Sequence, residues 1–315
     1  MCTALTLKTS DFYFGRTLDY ECSYGEEAVI TPRKYTFKFL NGEVCKEHFA
    51  MIGTAHIAND YPLYYEAVNE KGLCIAALNF VGNAVYAKPK NDKINVAQFE
   101  LIPYILGKFD SVDGVVAALE NINITDQAFS KDMPVGQLHW LIADKHRAVT
   151  VESVKDGIKV YKNEVGVLTN NPPFDLQVFN LNNYRALSAK QPANNSLIGG
   201  LETYSRGMGA LGLPGDWSSQ SRFVRAAFMR ANSVCGKGEK QSVAQFFKLL
   251  GGVQQVRGCC EVKEGEYEIT IYTSCMNADK GIYYYSTYDD PAICAVEMGK
   301  HDLNGSKLIG YKHNG

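Results

Sequence analysis

The order of strand-like and helix-like segments limits the folds open to this chain more than any single motif does. Residues 4–80 read as short strands, and apolar residues recur every three or four positions over 95–122. Strand patterns return over 138–170, helix patterns over 221–253 and strand patterns over 267–298. A plain β-sandwich leaves the helices unplaced, whereas two antiparallel sheets between helical layers have both faces covered. The order therefore predicts an α+β fold, a four-layer αββα sandwich.

The helical segments carry local signals that mark their ends. Pro103 lies inside the helix predicted over 95–109 and is expected to kink or split it. Ser111, Ser221 and Ser242 each precede an amphipathic run and are candidate N-cap residues.

The middle of the chain contains the least regular segment. Residues 176–190 are predicted to be helical, and residues 191–216 are rich in Gly, Asn and Pro. The second range is predicted to run over the surface and is a candidate assembly loop. Because no internal repeat or low-complexity linker is found, residues 1–315 are expected to form one domain, or 2–315 once Met1 is removed.

Composition excludes several classes of function. The chain has 315 residues, 46% hydrophobic and 21% charged, with a formal net charge of −2. It has no basic stripe for nucleic acid and no apolar run long enough for stable membrane association. Its nine cysteines show no CxxC and no paired spacing, and its six histidines form no HExxH, so no disulfide framework, metal or cofactor is expected. With no signal peptide recognised, the expected location is the cytoplasm.

The first twenty residues, MCTALTLKTSDFYFGRTLDY, read as a β-hairpin with a turn at residues 9–11. This turn places Cys2 opposite Leu18, with Arg16 and either Asp19 or Tyr20 as neighbours across the ladder. A thiol, a guanidinium and a carboxylate thus meet at one strand end. The arrangement is compatible with an ordinary salt bridge at a sheet edge and also with a catalytic site.

The catalytic interpretation depends on removal of Met1, which leaves Cys2 with a free α-amino group. Such a group has an ordinary pKa of about 7.7–8.0, so part of it is neutral near pH 7 and can accept the thiol proton. A neighbouring Arg16 stabilises the thiolate, and Asp19 can orient the ammonium form. Thiol and base then belong to one residue.

Acyl transfer also needs hydrogen-bond donors for the oxyanion of the intermediate. Asn79 closes the strand-like run LCIAALN, and Asn170 closes VGVLTN. Asn at a strand end is equally compatible with a turn, so the residues alone leave both interpretations open.

Seven blocks, in order, resemble the choloylglycine hydrolase family and specifically its bile salt hydrolases. The resemblance covers nearly the whole chain and rests on MCTALTL, YFGRTLDY, NDYPLYYEAVNEKGLCIAALNF, LHWLIAD, VGVLTNNPPFD, GLPGDWSSQSRFVR and YTSCMNADKGIYYYSTYDDPAI. It implies the N-terminal nucleophile hydrolase fold and a bacterial, cytoplasmic enzyme without cofactor.

The resemblance also implies roles for individual residues. Cys2 matches the nucleophile, and Arg16 and Asp19 match the residues that stabilise the thiolate and hold the α-amino group. The oxyanion-hole positions and the second active-site arginine of the family correspond to Asn79, Asn170 and Arg222.

The implied reaction is hydrolysis of the amide bond in glycine- or taurine-conjugated bile salts through a Cys2 thioester. Transfer of the acyl group to another amine is an implied side activity. Loop residues implied to bind the substrate are Tyr20, Ala58, Phe129 and Met133. Relatives are commonly homotetramers, so a homo-oligomer is expected.

Some positions depart from the family pattern or carry no implied role. Thr17 stands where relatives usually have Asn, and Val81 where many have Pro; local packing and pocket shape are the expected effects. Asn171, Arg225 and Arg230 are interpreted as backbone or structural residues.

Three alternatives remain at this point. The first is a penicillin V acylase with the same mechanism, although those relatives typically carry Tyr where this chain has Asn79. The second is a papain-like Cys–His hydrolase using His56 or His139. The third is a non-catalytic protein that retains Met1 and in which Cys2 only packs.

Overall fold

The structure follows the predicted alternation of strands and helices. This computed structural model describes residues 1–194 and 198–313. Its strands are β1 (Cys2–Lys8), β2 (Phe12–Tyr20), β3 (Glu27–Thr31), β4 (Phe37–Lys38), β5 (Val44–Cys45), β6 (Met51–Ala58), β7 (Tyr61–Asn69), β8 (Cys74–Asn79), β9 (Ile94–Ala97), β10 (Ile122–Thr125), β11 (Leu138–Ala143), β12 (Ala148–Val154), β13 (Gly157–Lys162), β14 (Val167–Leu168), β15 (Glu261–Lys263), β16 (Glu266–Tyr267), β17 (Ile269–Asn277), β18 (Ile282–Thr287), β19 (Cys294–Glu297) and β20 (Ile309–Lys312). Its α-helices are α1 (Leu101–Lys108), α2 (Val112–Leu119), α3 (Phe174–Asn180), α4 (Ser219–Asn232) and α5 (Glu239–Gly251).

Two large antiparallel sheets lie at the centre of the fold. The first has the strand order β14-β1-β2-β17-β18-β19, and the second has the order β13-β12-β11-β8-β7-β6-β3-β20. Helices α4 and α5 pack on the first sheet, and α1 packs on the second, where α2 adds its buried apolar residues to the same core cluster. The predicted αββα sandwich is confirmed, because each sheet covers one face of the other and helices cover the remaining faces.

Side chains of the first hairpin alternate between the two faces of the first sheet. Arg16 on β2 reaches the backbone carbonyl of Ala77 on β8, so its face points towards the second sheet. Thr3 on β1 accepts a hydrogen bond from Arg222 on α4, so the opposite face points towards the helices. Cys2 shares the face of Arg16. The hairpin therefore presents residues both to the space between the sheets and to the helical layer.

Within residues 4–80, where short strands are predicted, β7 lies in the interior of the larger sheet. Strand β3 ends at Thr31, before Pro32, which has no N–H to continue a ladder. Strands β10 and β15 were not expected. Strand β20 near the C-terminus was also not expected.

The helix expected over 95–109 is shorter, and Pro103 does not kink it. Residues Ile94–Ala97 form β9, a 3-10 turn follows, and α1 begins at Leu101. Pro103 thus falls in the first turn, where a backbone N–H has no intrahelical acceptor and the ring is tolerated.

Only one of the three predicted N-caps is correct. The side chain of Ser111 accepts from the backbone N–H of Gly114 and caps α2. Ser221 and Ser242 lie inside α4 and α5, whose N-caps are Ser218 and Gly238. Both helices therefore begin about a turn earlier than their apolar periodicity indicates.

The helical prediction for 176–190 corresponds to α3 and the 3-10 turn Leu181–Tyr184. In the excursion over 191–216, residues 195–197 lie outside the described residues, and Met208–Ala210 forms a 3-10 turn. No helix within 1–194 and 198–313 has the length and apolar character needed to cross a membrane.

Candidate active site

Cys2 and Arg16 meet between the two sheets, at the position the hairpin register predicts. Cys2 pairs with Leu18 across the β1–β2 ladder, which confirms the predicted register. Cys2 is 2% exposed, and the guanidinium of Arg16 donates a hydrogen bond to its Sγ through Nη2. The thiol is therefore buried against a cationic hydrogen-bond donor.

The rest of the Arg16 guanidinium is held by both sheets. Nη1 donates to the backbone carbonyls of Tyr65 and Ala77, while Nε donates to the carbonyl of Thr17 at 3.2 Å and lies 3.8 Å from Oε2 of Glu66. Burial acts to lower the pKa of Arg16, but negative charge on Cys2 and Glu66, among others, raises it overall. Arg16 therefore stays charged although it is buried.

A second charged pair lies on the opposite face of the hairpin, under α4. Both Asp19 and Arg222 are fully buried, and Nη1 of Arg222 lies 4.0 Å from Oδ2 of Asp19. Thr270 donates to Oδ1 of Asp19 at 2.6 Å, and Thr17 donates to Oδ2 at 3.0 Å. Burial raises the pKa of Asp19 while Arg222 opposes the rise, and burial lowers the pKa of Arg222.

Asn170 connects this pair to the backbone of Cys2. Its Oδ1 accepts from the backbone N–H of Cys2 and from Nη2 of Arg222, both at 2.8 Å. Its Nδ2 donates to the backbone carbonyl of Asn79 at 2.8 Å. Asn170 follows β14, and its own N–H donates to Ser219 at the start of α4. Asn170 therefore connects strand β1, the edge strand β14 and the start of α4.

The side chain of Asn79 has a different environment. Asn79 ends β8 and lines the same cavity as Cys2, and its amide makes no hydrogen bond with any residue in the described ranges. The Nδ2 group of Asn170 carries two hydrogens, of which the contact to Asn79 uses one. Two amide groups with unused donor capacity thus lie at this end of the cavity.

The amino group of Met1 lies beside the same strand end. It donates to the backbone carbonyl of Asp19 at 2.6 Å and pairs with the carboxylate of Glu268. Burial lowers the pKa of this amino group below its ordinary value, which increases its neutral fraction near pH 7.

An apolar cavity of about 540 Å³ opens onto Cys2. Its lining residues come from both sheets, two loops, one 3-10 turn and helix α1: Cys2, Arg16, Leu18, Tyr20, Tyr24, His56, Leu63, Tyr64, Tyr65, Ala77, Asn79, Gln98, Phe99, Ile102, Phe129, Asp132, Met133, Pro134, Gly136 and Leu138. A cavity of this size suits a small organic ligand.

The structure brings three of the four expected substrate-binding residues to this cavity. Tyr20, Phe129 and Met133 line it, and Phe129 packs edge-on against Phe99 with ring centroids 5.3 Å apart. Ala58 is not among the lining residues, because it lies at the last position of β6, next to the turn into β7.

The two histidines of the Cys–His alternative are placed differently. His139 is fully buried, with Nδ1 3.1 Å from Glu152 and Nε2 2.9 Å from the carbonyl of Thr169. His56 lines the cavity. Across residues 1–194 and 198–313, neither imidazole makes a hydrogen bond to Cys2, so the geometry offers no Cys–His pair.

The other arginines of α4 hold the helix in place. Arg225 donates to the carbonyls of Gly252, Pro214 and Asp216, and Arg230 donates to the backbone and hydroxyl of Thr6. Neither side chain lines the cavity.

Sequence reasoning missed the two carboxylates that complete the site. Glu66 lies behind Arg16, and Glu268 lies beside the amino terminus. The available signal for Glu66 was a charged residue within the apolar run YPLYYEAVN. No comparable signal marked Glu268, because it follows a surface hairpin.

Known proteins resemble this chain over nearly its full length. A profile of the linear amide C–N hydrolases, choloylglycine hydrolase family, matches residues 2–311. The chain is 54% identical over 312 residues to a bile salt hydrolase/transferase of Lactiplantibacillus plantarum, covering 99% of this chain and 96% of the relative. It is 38% identical over 322 residues to a bile salt hydrolase/transferase of Clostridium perfringens, covering 100% and 97%.

Solved structures share the whole architecture. A mutant of the conjugated bile acid hydrolase from Clostridium perfringens superposes with a TM-score of 0.92 at 38% identity, covering 100% of this chain and 97% of that one. Penicillin V acylase from Agrobacterium tumefaciens gives a TM-score of 0.77 at 18% identity, covering 98% and 90%, which shows the fold alone. The αββα sandwich is thus the N-terminal nucleophile hydrolase fold. Within it, the chain belongs to the choloylglycine hydrolase family of linear amide C–N hydrolases.

Proposed function

We propose that this protein hydrolyses the amide bond of bile salts conjugated to glycine or taurine, with Cys2 as nucleophile. The observation that carries the proposal is the Cys2 thiol, which contacts a buried guanidinium at the wall of an apolar cavity of about 540 Å³. The names of relatives that are 54% and 38% identical over nearly the full chain support the substrate class.

The proposed reaction begins with removal of Met1, which turns the backbone N–H of Cys2 into an α-amino group. The neutral amine takes the proton of the thiol, and Sγ attacks the carbonyl carbon of the substrate amide. When the tetrahedral intermediate collapses, the C–N bond breaks and the ammonium gives its proton to the departing amine. Water then attacks the thioester with the amine as base, which releases the bile acid and restores the thiol.

Burial supports the amine as a base at neutral pH. The pKa of the Met1 amino group is already lowered by burial at this strand end. The amino group of Cys2 lies one residue deeper, where Oδ1 of Asn170 accepts from its nitrogen at 2.8 Å. This acceptor aims the nitrogen while the lone pair remains available to the thiol of the same residue.

Two amides are proposed to stabilise the oxyanion. The side-chain amide of Asn79 and the second hydrogen of Asn170 Nδ2 both lie at the Cys2 end of the cavity. Donors placed before the charge develops are worth more than donors that must reorient.

The proposed transferase side activity uses the same thioester. A free amine that reaches the acyl group before water forms a new amide, with the proton again passing through the α-amino group. Relatives carrying the name bile salt hydrolase/transferase support this route.

The test combines intact-mass analysis with assays on glycocholate, taurocholate and penicillin V. We expect active protein to begin at Cys2, Cys2→Ala to be inactive, and Cys22→Ala, which removes an exposed thiol, to retain activity. Full activity in Cys2→Ala, or in protein that retains Met1, contradicts the mechanism. Faster turnover of penicillin V than of both bile salts contradicts the substrate.

We also propose that the chain is a cytoplasmic homo-oligomer, by resemblance a tetramer. Large apolar side chains exposed on α3 and the excursion support an interface: Phe179 is 71% exposed, Tyr204 85% and Leu211 67%. Multi-angle light scattering is expected to give a mass above that of one chain, falling in Tyr204→Asp. A monomeric wild-type protein contradicts this, and cell fractionation tests the location.

A further inference from the structure

Glu66 occupies a closed polar compartment directly behind the arginine that contacts the thiol. It is 0% exposed on β7, between the sheets. Tyr272 donates to Oε2 at 2.6 Å, and Tyr283 donates to Oε1 at 2.7 Å. Oε2 also lies 3.8 Å from Nε of Arg16. Burial raises the pKa of Glu66 above its ordinary value, and the guanidinium of Arg16 and the hydroxyl donors on both oxygens oppose this rise.

The charged and titratable groups that face Glu66 come from three neighbouring strands. They are Arg16 from β2, Tyr272 from β17 and Tyr283 from β18. Thr54 on β6 hydrogen-bonds to Tyr283 but does not titrate. His313 packs edge-on against Tyr272, and burial lowers its pKa to about 4, so it is neutral at physiological pH.

The guanidinium of Arg16 therefore lies between Sγ of Cys2 on one side and the carboxyl group of Glu66 on the other. The guanidinium cannot move towards either group without leaving the carbonyls of Tyr65 and Ala77. When both groups are ionised, the two anions repel each other across the shared cation, so each is stabilised less than it would be with the cation alone.

We propose that Glu66 is a positioning residue for the reaction, which holds Arg16 against the nucleophile and offsets part of its charge. The carboxylate thereby keeps the thiol from ionising at too low a pH, so that the proton exchange with the α-amino group remains near balance at neutral pH. This inference rests on the proposed role of Cys2 as nucleophile.

Glu66→Gln removes the negative charge and keeps a side chain of similar volume. Arg16 then acts on Cys2 without a neighbouring carboxylate, and we expect the thiolate to form at a pH lower by about 1 unit, as for a nearby charge. A thiolate that forms more readily is a weaker nucleophile, so the plateau rate should fall by about threefold.

The experiment measures alkylation of Cys2 by iodoacetamide against pH, in mature protein whose N-terminus is verified by intact mass. The Cys2 peptide and the Cys22 peptide are quantified together by mass spectrometry, and exposed Cys22 serves as internal control. We expect the midpoint of Cys2 alkylation to move to lower pH in Glu66→Gln, while the midpoint of Cys22 alkylation stays unchanged. Glu66→Asp keeps the charge and should restore the wild-type midpoint.

Two further variants separate positioning from loss of core packing. Glu152→Gln neutralises another fully buried glutamate, one that contacts His139 rather than Arg16, and should leave the Cys2 midpoint in place. Tyr272→Phe removes one donor to Glu66, makes the carboxylate easier to protonate, and should move the midpoint in the same direction by less. It also serves as the test if Glu66→Gln does not fold.

The proposal is wrong if the midpoint is unchanged in Glu66→Gln and Tyr272→Phe, or if Glu152→Gln moves it equally. Because alkylation needs no bile salt, it is independent of the substrate assignment. A shifted midpoint in a protein that does not cleave conjugated bile salts supports the role of Glu66 and overturns the proposed function. Normal hydrolysis of bile salts with an unchanged Cys2 midpoint supports the proposed function and overturns the role of Glu66.

Discussion

Replacing Arg222 by Met tests the buried charge cluster under α4. Arg222 is 0% exposed and lies 4.0 Å from Asp19. It also donates to Thr3 at 2.7 Å, to Asn170 at 2.8 Å and to the carbonyl of Trp217 at 3.0 Å. Removing one partner of a buried ion pair costs about 3–5 kcal/mol, since the other charge stays buried without compensation. That is a large part of a typical total stability of about 5–15 kcal/mol.

The loss of stability in Arg222→Met should depend on pH in a defined direction. Burial raises the pKa of Asp19, and Arg222 opposes this rise. Removing Arg222 therefore raises the pKa of Asp19 further. The native state then takes up a proton at a pH where the unfolded chain, with an Asp pKa of about 3.9, does not. The free energy of unfolding therefore falls as pH rises through this window, by at most about 1.4 kcal/mol per pH unit. The deficit relative to wild type should be largest at neutral pH and smaller in acid.

Urea denaturation of wild type and variant at equal protein concentration, at several pH values between 5 and 8, measures this difference. Arg225→Met is the matched control, because Arg225 lies on the same helix and donates only to backbone carbonyls. Its neighbour Asp216 has a pKa lowered to about 2 by Ser218 and Ser221, so it stays ionised throughout. A loss in Arg222→Met no larger than in Arg225→Met, or one that does not shrink in acid, refutes the reasoning.

Three further predictions concern the cavity and the histidines. Asn79→Ala should lower kcat on taurocholate by about 10²–10³-fold, the usual effect of losing one oxyanion donor. The urea midpoint should stay unchanged, because the Asn79 side chain makes no hydrogen bond in the described structure. A shifted urea midpoint with normal kcat argues against this role. His56→Ala should retain the pH dependence of hydrolysis. His139→Ala should lower stability by about 1–3 kcal/mol, because the buried Glu152 then keeps only the backbone N–H of Phe174 as a donor. Loss of the acid limb of the pH profile in either variant supports a Cys–His pair instead. Phe129→Ala should raise KM for bile salts more than it lowers kcat, because the ring contributes apolar wall rather than chemistry; a kcat effect alone excludes that role.

Much of the candidate site around Cys2 was predictable from the first twenty residues. The turn at residues 9–11 fixes which positions pair, so Cys2 meets Leu18 and lies close to Arg16 with no information from the rest of the chain. The layer order was likewise readable from apolar periodicity, because a segment must bury one face and its period shows which type of segment it is. The positions of helix starts were less readable, since Ser218 and Gly238 act as caps while the nearby Ser221 and Ser242 do not.

The residues that contact Arg16 and Cys2 from distant parts of the chain could be identified only from the tertiary structure. Glu66 meets Arg16 because β7 lies in the interior of the second sheet, and Tyr272 and Tyr283 reach it from strands near the C-terminus. Asn170 reaches the nitrogen of Cys2 only because β14 pairs with β1 at the edge of the first sheet. A hairpin contact depends on one turn, whereas these contacts depend on how two sheets stack. No local pattern encodes that stacking, because the free energy that fixes it is summed over the whole core between the sheets.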